Sequence, residues 1–571
     1  MFHDIIKILK LVYKFDKSKV FFFIFIAIFS TFLEGLSIGI IFPLLEIIID
    51  DSENNYFNTL YPFSKHGSQK FFVEIIIIFL TIFIIRSIFL IYVAWWRTGY
   101  VKDLNQYFRF KIFKNYIRNE YDFFLLNKPS VIMRNTYQEV AMLIVAIDSI
   151  LRIISELLVF LIILSTLIYF ETEGAIIGIF LFLFFGLIYI SIFKKTLKNW
   201  SKKIQLYSGK IIQLIQQSIE SIKFVKISNI ENKFFNLYES DLFEYAKFHR
   251  LRNFLAEFPR IYLEFLGVLV IILVTYNLYD PQQQDMSYLV PSLALMTAAA
   301  FRMLPSVGRI VNYAQSLYGI SASINIIQKD LSKKFPQKKT NNKRLKLVKK
   351  IKLKNINYSY PGEKQEILKN FNLEIPKNSF VCITGESGIG KTTIIDIIAG
   401  ILKPTSGQIF IDNKRLNKNN ENYWKNNIGY VSQNTILFNT SIKENIAILE
   451  TKTINVNKLK KAIYLSNLNK FVLSKKNGFE FQIQERGMNL SGGQIQRLGI
   501  ARSLYHDPEI LIFDEFTSAL DKKNQNDILK SIDLLKKEKT IIAISHNKSV
   551  IRKANKIINL VKNNKGEIKI K

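Results

Sequence analysis

Among its 571 residues the chain has one cysteine, Cys382. A single thiol excludes an intrachain disulfide, so no part of the fold can depend on one. Its surroundings, SFVCITG, are apolar, and the expected role is that of a small buried hydrophobe. Acids are scarce as well: 46 Asp and Glu stand against 78 Lys and Arg, a formal charge of +32. Such a surplus points to nucleic acid or to an anionic membrane. The start of the chain lacks a secretory cleavage pattern. The short stretch ahead of the first apolar run is expected to leave no room for an N-terminal protease domain.

What the chain has in plenty is apolar surface. Hydrophobic residues make up 49%, with 47 Phe, and the mean hydropathy is +0.14. The length suits two or three domains. About six stretches reach the roughly 20 apolar residues that a bilayer needs. They lie near 20–49, 71–97, 149–170, 174–194, 256–279 and 286–318. Spans of that kind make the membrane the partner of the basic charge. Ahead of them, residues 1–19 place Ile5, Ile6, Leu9 and Val12 at helical spacing among five lysines. That pattern predicts an interfacial helix on the membrane surface.

Flanking charge gives the orientation. Arg97 to Arg134 and Lys194 to Arg252 are basic, whereas the alternate loops carry Asp50, Asp51 and Glu53, then Glu171 and Glu173, then Asp280 and Asp285. The positive-inside rule therefore predicts both termini and both basic excursions in the cytoplasm. In the first outer loop, YFNTLYPF would set Tyr56, Phe57, Leu60 and Tyr61 on one face of a short surface helix, or would form an ordinary loop packed on the helix ends. Residues 20–330 are thus expected to be a six-helix transmembrane domain. Residues 331–350, polar and basic with Pro336, read as a linker.

From 351 to 571 the pattern changes to short β-like runs, SFVCITG, QIFID, ILIFDE and TIIAIS, alternating with helical stretches. That predicts an α/β domain with a largely parallel sheet. Within it, Gly385, Glu386, Ser387, Gly388, Ile389, Gly390, Lys391, Thr392 and Thr393 spell GESGIGKTT between an apolar strand and an apolar helix. This is a P-loop in its required context. Its glycines turn backbone N–H groups toward phosphates, and the helix presents its positive end to them. Lys391 would reach the terminal phosphates, and the Thr392 hydroxyl would bind Mg²⁺. The strand EILIFDE ends in Asp514, a second Mg²⁺ candidate, and Glu515, which would polarise an attacking water. LSGGQ (490–494) heads a further helix, so Ser491, Gly492, Gly493 and Gln494 form a second anion site at a helix start. Gln433 follows the run IGYVS, and His546 follows TIIAIS, where it could donate to a γ-phosphate.

The order GESGIGKTT, Gln433, LSGGQ, ILIFDE, SALD, His546 resembles the nucleotide-binding domain of ABC transporters over all of 351–571. The resemblance implies that Tyr360 stacks on adenine, that Gln433 joins Thr392 and Asp514 at Mg²⁺, and that Glu515, His546 and Lys391 carry ATP hydrolysis. It further implies that Ser518 to Asp521 cross to a partner domain and that QERG contacts the transmembrane domain. Two positions depart from the family: Phe516 replaces a small residue, and Gln484 replaces the glycine of the exporter GERG segment. ATP in this family lies between the P-loop of one domain and the LSGGQ of another. A chain with one copy of each must dimerise, most simply as a homodimer. Six spans ahead of such a domain resemble an exporter half-transporter, which implies coupling helices near 119–130 and 218–230.

Arginines within the spans raise the question of cargo, because an ionisable side chain in lipid is expensive unless it faces protein or water. Arg152 has Glu156 one turn on, which predicts an internal ion pair. Arg260 has Glu264 and Glu257 nearby, while Arg86 and Arg302 have no acid three or four residues away, and Glu34 is a possible partner for either. Counted inward at 1.5 Å per residue, Arg86 and Arg302 lie roughly 22 Å from the outer ends and Arg260 roughly 30 Å. All three would line the inner half of one cavity, doubled in a homodimer, and guanidinium forks suit phosphate oxygens. With the overall layout, this resembles the bacterial PglK-type flippase of undecaprenyl-diphosphate-linked oligosaccharides used in protein glycosylation. The resemblance implies an inner-membrane location and makes Arg86, Arg260 and Arg302 candidate pyrophosphate contacts. Another anionic lipid, such as a lipid A-like one, or an acidic peptide would suit a basic cavity too, and an ATP-gated channel would use the same ATPase.

Overall fold

A computed structural model describes residues 2–40, 69–170, 172–278, 286–332, 343–363, 365–448, 454–517, 522–563 and 568–570, with some side chains in the helices set aside. The expected surface helix at 56–61, the acids of the first and third outer loops, and Ser518 to Asp521 lie outside these residues. The chain forms two compact units, Met1–Arg118 with Pro129–Phe335, and Asn119–Lys128 with Pro336–Lys571.

The first unit is helical. Its elements are α1 (Phe2–Phe15), α2 (Lys17–Gly39) and α3 (Gln69–Ile117); α4 (Tyr121–Leu126) belongs to the second unit. Then come α5 (Pro129–Arg134), a π-helical turn (Asn135–Glu139), α6 (Val140–Phe170), α7 (Thr172–Glu220), α8 (Ile222–Ile227), α9 (Glu231–Leu278) and α10 (Met286–Ser332). Asp16 separates α1 from α2 because its carboxylate accepts the Lys19 N–H at 3.1 Å, an N-cap. The face that α1 buries runs through Ile8 and Val12, whereas Ile6 and Leu9 of the expected stripe are exposed.

Among the described residues four helical segments are long and apolar enough to cross a membrane: Lys17–Gly39, Ile76–Ile117, Pro129–Tyr169 and Leu293–Leu317. The other two expected spans fall in α7, a continuous helix through 174–194, and in α9, which is helical from 256 to its end at Leu278. Helix α10 packs along α6, and α9 along α7. Close approach of α2 to α6 needs Gly35, where a Cβ would come within 2.7 Å of Ile162. Ile38, Ile163, Leu295 and Ala299 close the core there. The short helices α4 and α8 occupy the two places expected for coupling helices.

The second unit has two sheets. Strands β1 (Lys350–Tyr358), β2 (Leu368–Pro376), β4 (Ser406–Ile411) and β5 (Lys414–Arg415) form an antiparallel sheet in the order β2-β1-β4-β5. The run QIFID therefore belongs to this sheet and not to a parallel one. Strands β3 (Phe380–Gly385), β6 (Ile428–Val431), β7 (Ile510–Asp514), β8 (Thr540–Ile544), β9 (Lys556–Lys562) and β10 (Ile568–Ile570) form the other, in the order β10-β9-β3-β8-β7-β6. All its pairings are parallel except that of β10. Buried on both faces, β7 and β8 read as unbroken apolar runs rather than alternating ones. Cys382 is fully buried in β3, and burial pushes its thiol up to about 11.

Candidate functional site: an anion-handling sheet edge and a membrane ion network

Parallel strands deliver their C-terminal ends to one edge, the usual place for a ligand in an α/β sheet. Here β3 ends in the P-loop, β6 is followed by Gln433, β7 ends in Asp514 and Glu515, and β8 is followed by His546. The sheet thus gathers residues more than a hundred positions apart in sequence. The P-loop turn needs its glycines. Gly390 has φ 97°, and a Cβ on Gly385 would lie 2.8 Å from the Leu560 carbonyl. Helix α11 (Lys391–Ile398) starts directly after Gly390. The Lys391 ammonium donates to the Gly385 and Glu386 carbonyls at 2.8 and 2.9 Å, which folds it over the loop.

Burial, with Glu515 beside it, pushes the Asp514 carboxyl above its ordinary range, while Lys391 and a hydrogen bond with Thr392 pull it down. Burial also lowers the Lys391 ammonium, against the pull of Glu515 and Asp514. Glu515 has φ 46°, a left-handed backbone uncommon outside glycine, held by its N–H to the Ile544 carbonyl at 3.1 Å. Its carboxylate accepts from Gln433 Nε2 at 2.8 Å. Gln433, Glu515, Asp514, Thr392 and Lys391 are therefore one connected polar group. His546 is exposed just beyond β8. Tyr360 and Thr393 share a hydroxyl–hydroxyl bond at 3.0 Å. Among the described residues there is no cluster of three or more His, Cys, Asp or Glu. The donors gathered here are instead hard oxygens from a hydroxyl, a carboxamide and a carboxylate, a set that fits Mg²⁺ sharing its shell with water and phosphate.

The LSGGQ segment starts a second helix, α12 (Gly492–Tyr505). Ser491 Oγ accepts the Gln494 N–H at 3.3 Å, and Gln494 Oε1 accepts the Ser491 N–H at 2.9 Å, a capping box. The first N–H groups of α12, including those of Gly492 and Gly493, stay available to an anion. The two departures from the family pattern are accommodated. Phe516 is fully buried against Phe513, with ring centroids 4.6 Å apart, and the Gln484 N–H donates to Asn489 Oδ1 at 3.1 Å.

A pair not anticipated from sequence lies beneath the P-loop helix. Tyr430 on β6 donates to Asp396 Oδ1 at 3.1 Å, and burial pushes the Asp396 carboxyl up to about 6. Polar residues at helical positions 391 and 396 gave no signal of this, because the partner comes from a different strand. In the same unit Lys403 pairs with Glu120 beside α4, and Leu126 of α4 lies against Gly362.

In the helical unit, Glu34 on α2 is fully buried and binds two arginines through one oxygen. Arg86 Nη2 of α3 donates at 2.9 Å, and Arg302 Nε of α10 donates as well. The Glu34 possibility thus holds for both arginines at once. The Arg86 and Arg302 side chains keep 17% and 26% of their surface exposed. Arg260 sits on α9, and its side chain lies outside the described ones. The expected Arg152–Glu156 pair is replaced. Arg152 donates to Asp148, one turn earlier, at 2.7 Å, and to Tyr313 at 3.3 Å. Glu156 instead accepts both arms of Arg309 from α10, at 2.7 and 3.0 Å. A bidentate fork across helices wins over a local pair because planar geometry matches both oxygens.

Residues 20–297 match the family model described as the ABC transporter transmembrane region, and residues 368–518 match the one described as ABC transporter. The chain is 30% identical over 422 residues to an ATP-dependent lipid A-core flippase of Wigglesworthia glossinidia brevipalpis, covering 69% of this chain and 70% of that protein. It is 36% identical over 273 residues to the heterocyst differentiation ATP-binding protein HepA of a Nostoc species, covering 47% of this chain and 44% of that one. A solved bacterial Atm1-family ABC exporter with ATP bound superposes with a TM-score of 0.75 at 20% identity, over 97% of this chain and 94% of the other, and shares its fold.

Proposed function

Since the chain belongs to the ABC transporter family, as an exporter half-transporter whose ATPase drives transport, we propose that its cargo is an anionic lipid, specifically a polyprenyl-diphosphate-linked oligosaccharide moved outward across a bacterial inner membrane. The observation that carries this is the convergence of Arg86 and Arg302 on Glu34. Two guanidiniums against one carboxylate leave a net positive charge, and both arginines remain partly open. A site for a greasy cation would not keep that balance. A diphosphate offers oxygens to both forks. Arg260, on α9, is the third proposed contact. Similarity to a protein named as a lipid flippase supports lipid movement, and a lipid A-like substrate is the second reading on the same ground.

The ATP chemistry follows from the sheet edge. The P-loop amides from Gly385 to Thr393 and the Lys391 ammonium would hold the phosphates, and Tyr360 would stack on adenine. Thr392, Gln433 and Asp514 would hold Mg²⁺, which supplies charge neutralisation at the β- and γ-phosphates. Glu515, fixed by its left-handed backbone and by Gln433, would orient and deprotonate water, and His546 would donate to the γ-phosphate. Ser491, Gly492, Gly493 and Gln494 would close over the ATP of a second copy, which makes the working form a homodimer with the ATP domains and both termini in the cytoplasm. On α8, Phe224 and Ile227 are 64% and 83% exposed, an apolar tip that suits docking in such an assembly.

The test is translocation in proteoliposomes of purified protein. A diphosphate-linked glycolipid should cross with ATP and not with Glu515→Gln. Arg86→Ala and Arg302→Ala should lose it while retaining ATP binding. Intact translocation in both arginine variants would remove the diphosphate assignment. Preferential movement of a lipid A-like substrate would favour the second reading.

A further inference from the structure

A cavity of about 370 Å³ opens in the helical unit between the π-helical turn and helices α6, α7, α9 and α10. Its size falls within the roughly 300–1,000 Å³ of small-molecule sites. Arg134 and Arg252 line it together with Glu139, but most of its polar lining is uncharged. Carboxamides dominate, among them Gln138, Gln205, Asn312 and Gln315, with hydroxyls from Ser201 and Tyr245 beside them. Carboxamides and hydroxyls each both donate and accept, so together they match adjacent hydroxyls on a ligand. Met142, Val145, Ile204 and Ile320 supply apolar surface against which the C–H face of a ring can lie.

Glu139 supplies a buried acceptor. It ends the π-helical turn, and its residue is only 3% exposed. Such turns are rare and occur frequently at functional sites. One oxygen, Oε1, faces Arg134 Nε at 3.4 Å and accepts from Gln205 Nε2 at 3.3 Å. The other, Oε2, is buried with no hydrogen-bond partner among the described residues. A buried carboxylate oxygen without a donor is costly and calls for one. A hydroxyl on a ligand would satisfy it. Asn312 lies ten residues beyond Arg302 on the continuous helix α10, which sets the cavity roughly 15 Å along the helix axis from the arginine pair. That displacement is toward the C-terminal end of α10, where the chain leads to the ATP domain.

We propose that this cavity is a sugar-binding pocket for the glycan of the cargo, with Glu139 Oε2 accepting from a sugar hydroxyl and Gln205, Asn312 and Gln315 bonding its neighbours. The assignment rests on the proposed diphosphate glycolipid cargo. The arginine pair holds the charged linkage, and the carboxamide pocket distinguishes a glycosylated lipid from a bare one. Two separate sites along one helix would let the transporter wait for a finished glycolipid and pass over its carrier.

The experiment measures ATPase stimulation in proteoliposomes by two probes, a polyprenyl diphosphate without sugar and the same lipid bearing an oligosaccharide. Wild type should require less of the glycosylated lipid. Asn312→Ser and Glu139→Gln should each raise its half-saturating concentration about tenfold, the effect of roughly one lost hydrogen-bonded group, with little change for the bare lipid. Thermal midpoints report folding, and the conservative Gln205→Asn provides a second route if either variant is poorly folded. Equal shifts for both lipids, or no shift for either, would overturn the pocket while leaving the cargo assignment standing. Wild type that distinguishes the lipids not at all would overturn it too. Absence of stimulation by any diphosphate lipid would defeat the proposed cargo and the pocket with it.

Discussion

Arg86 and Arg302, from two different helices, share a single oxygen of the fully buried Glu34. The shared acceptor predicts an order of effects. Glu34→Gln leaves two guanidiniums facing each other without a counter-charge, and breaking a buried pair costs about 3–5 kcal/mol. Arg86→Gln leaves a one-to-one pair with Arg302 and should cost less. Thermal midpoints in detergent should therefore fall further for Glu34→Gln than for Arg86→Gln; the reverse order would show that Glu34 is not the common partner.

Arg309 and Glu156 form the fork that displaces the local pair expected from spacing. A double-mutant cycle between them should give a coupling of about 0.5–3 kcal/mol, whereas one between Arg152 and Glu156 should stay below about 0.5 kcal/mol. Unfolding monitored by fluorescence would supply both cycles.

Glu515 is held over the sheet edge by Gln433, and the proposed water-activating role predicts a separation of binding from turnover. Glu515→Gln should lower steady-state ATPase by at least about a hundredfold, the usual scale for removing a positioned base. ATP affinity should hold or rise. Phosphate release and nucleotide-binding assays would show it, and near-normal turnover would move the base elsewhere.

Asp396 predicts a pH dependence of stability. Its folded-state carboxyl is raised to about 6, above its ordinary value of 3.8. Between those values the folded state holds the proton more tightly, so the stability from the neutral form is lost as pH rises toward and through 6. Asp396→Asn keeps an acceptor for the Tyr430 hydroxyl and removes the buried charge. Its thermal midpoint should exceed wild type at pH 8 by an amount worth about 1–2 kcal/mol, discounted for partial exposure. The gain should vanish near pH 4. A pH-independent difference would contradict the buried-charge explanation.

Phe516 occupies a place where a small residue is usual in the family, yet it is fully buried on Phe513. Phe516→Ala should therefore destabilise the α/β unit by about 3–5 kcal/mol, as other large-to-small core changes do. Chemical denaturation would reveal it, and a neutral result would mean that the core collapses around the gap.

Much of the site was legible because its pieces are contiguous. GESGIGKTT, LSGGQ and ILIFDE each combine a strand or helix boundary with the residues that boundary presents, so spacing along the chain reports geometry directly. The basic flanks and apolar runs declared a membrane half for the same reason, since hydropathy sums over neighbours in sequence. Pairing across helices has no such record. Asp148, not Glu156, meets Arg152, and Arg309 meets Glu156 across helices 153 positions apart in sequence. The rotation and contact of packed helices choose those partners, and one turn of helix changes them. Glu34 was only one possible acid until α2, α3 and α10 were brought together, and the unpartnered oxygen of Glu139 depends on a π turn that no periodicity announces. The sequence by itself determined the ATP-binding motifs and the membrane character, because those are set by local chemistry. Only the tertiary structure decided which charges neutralise one another, because burial makes the choice of partner a matter of packing.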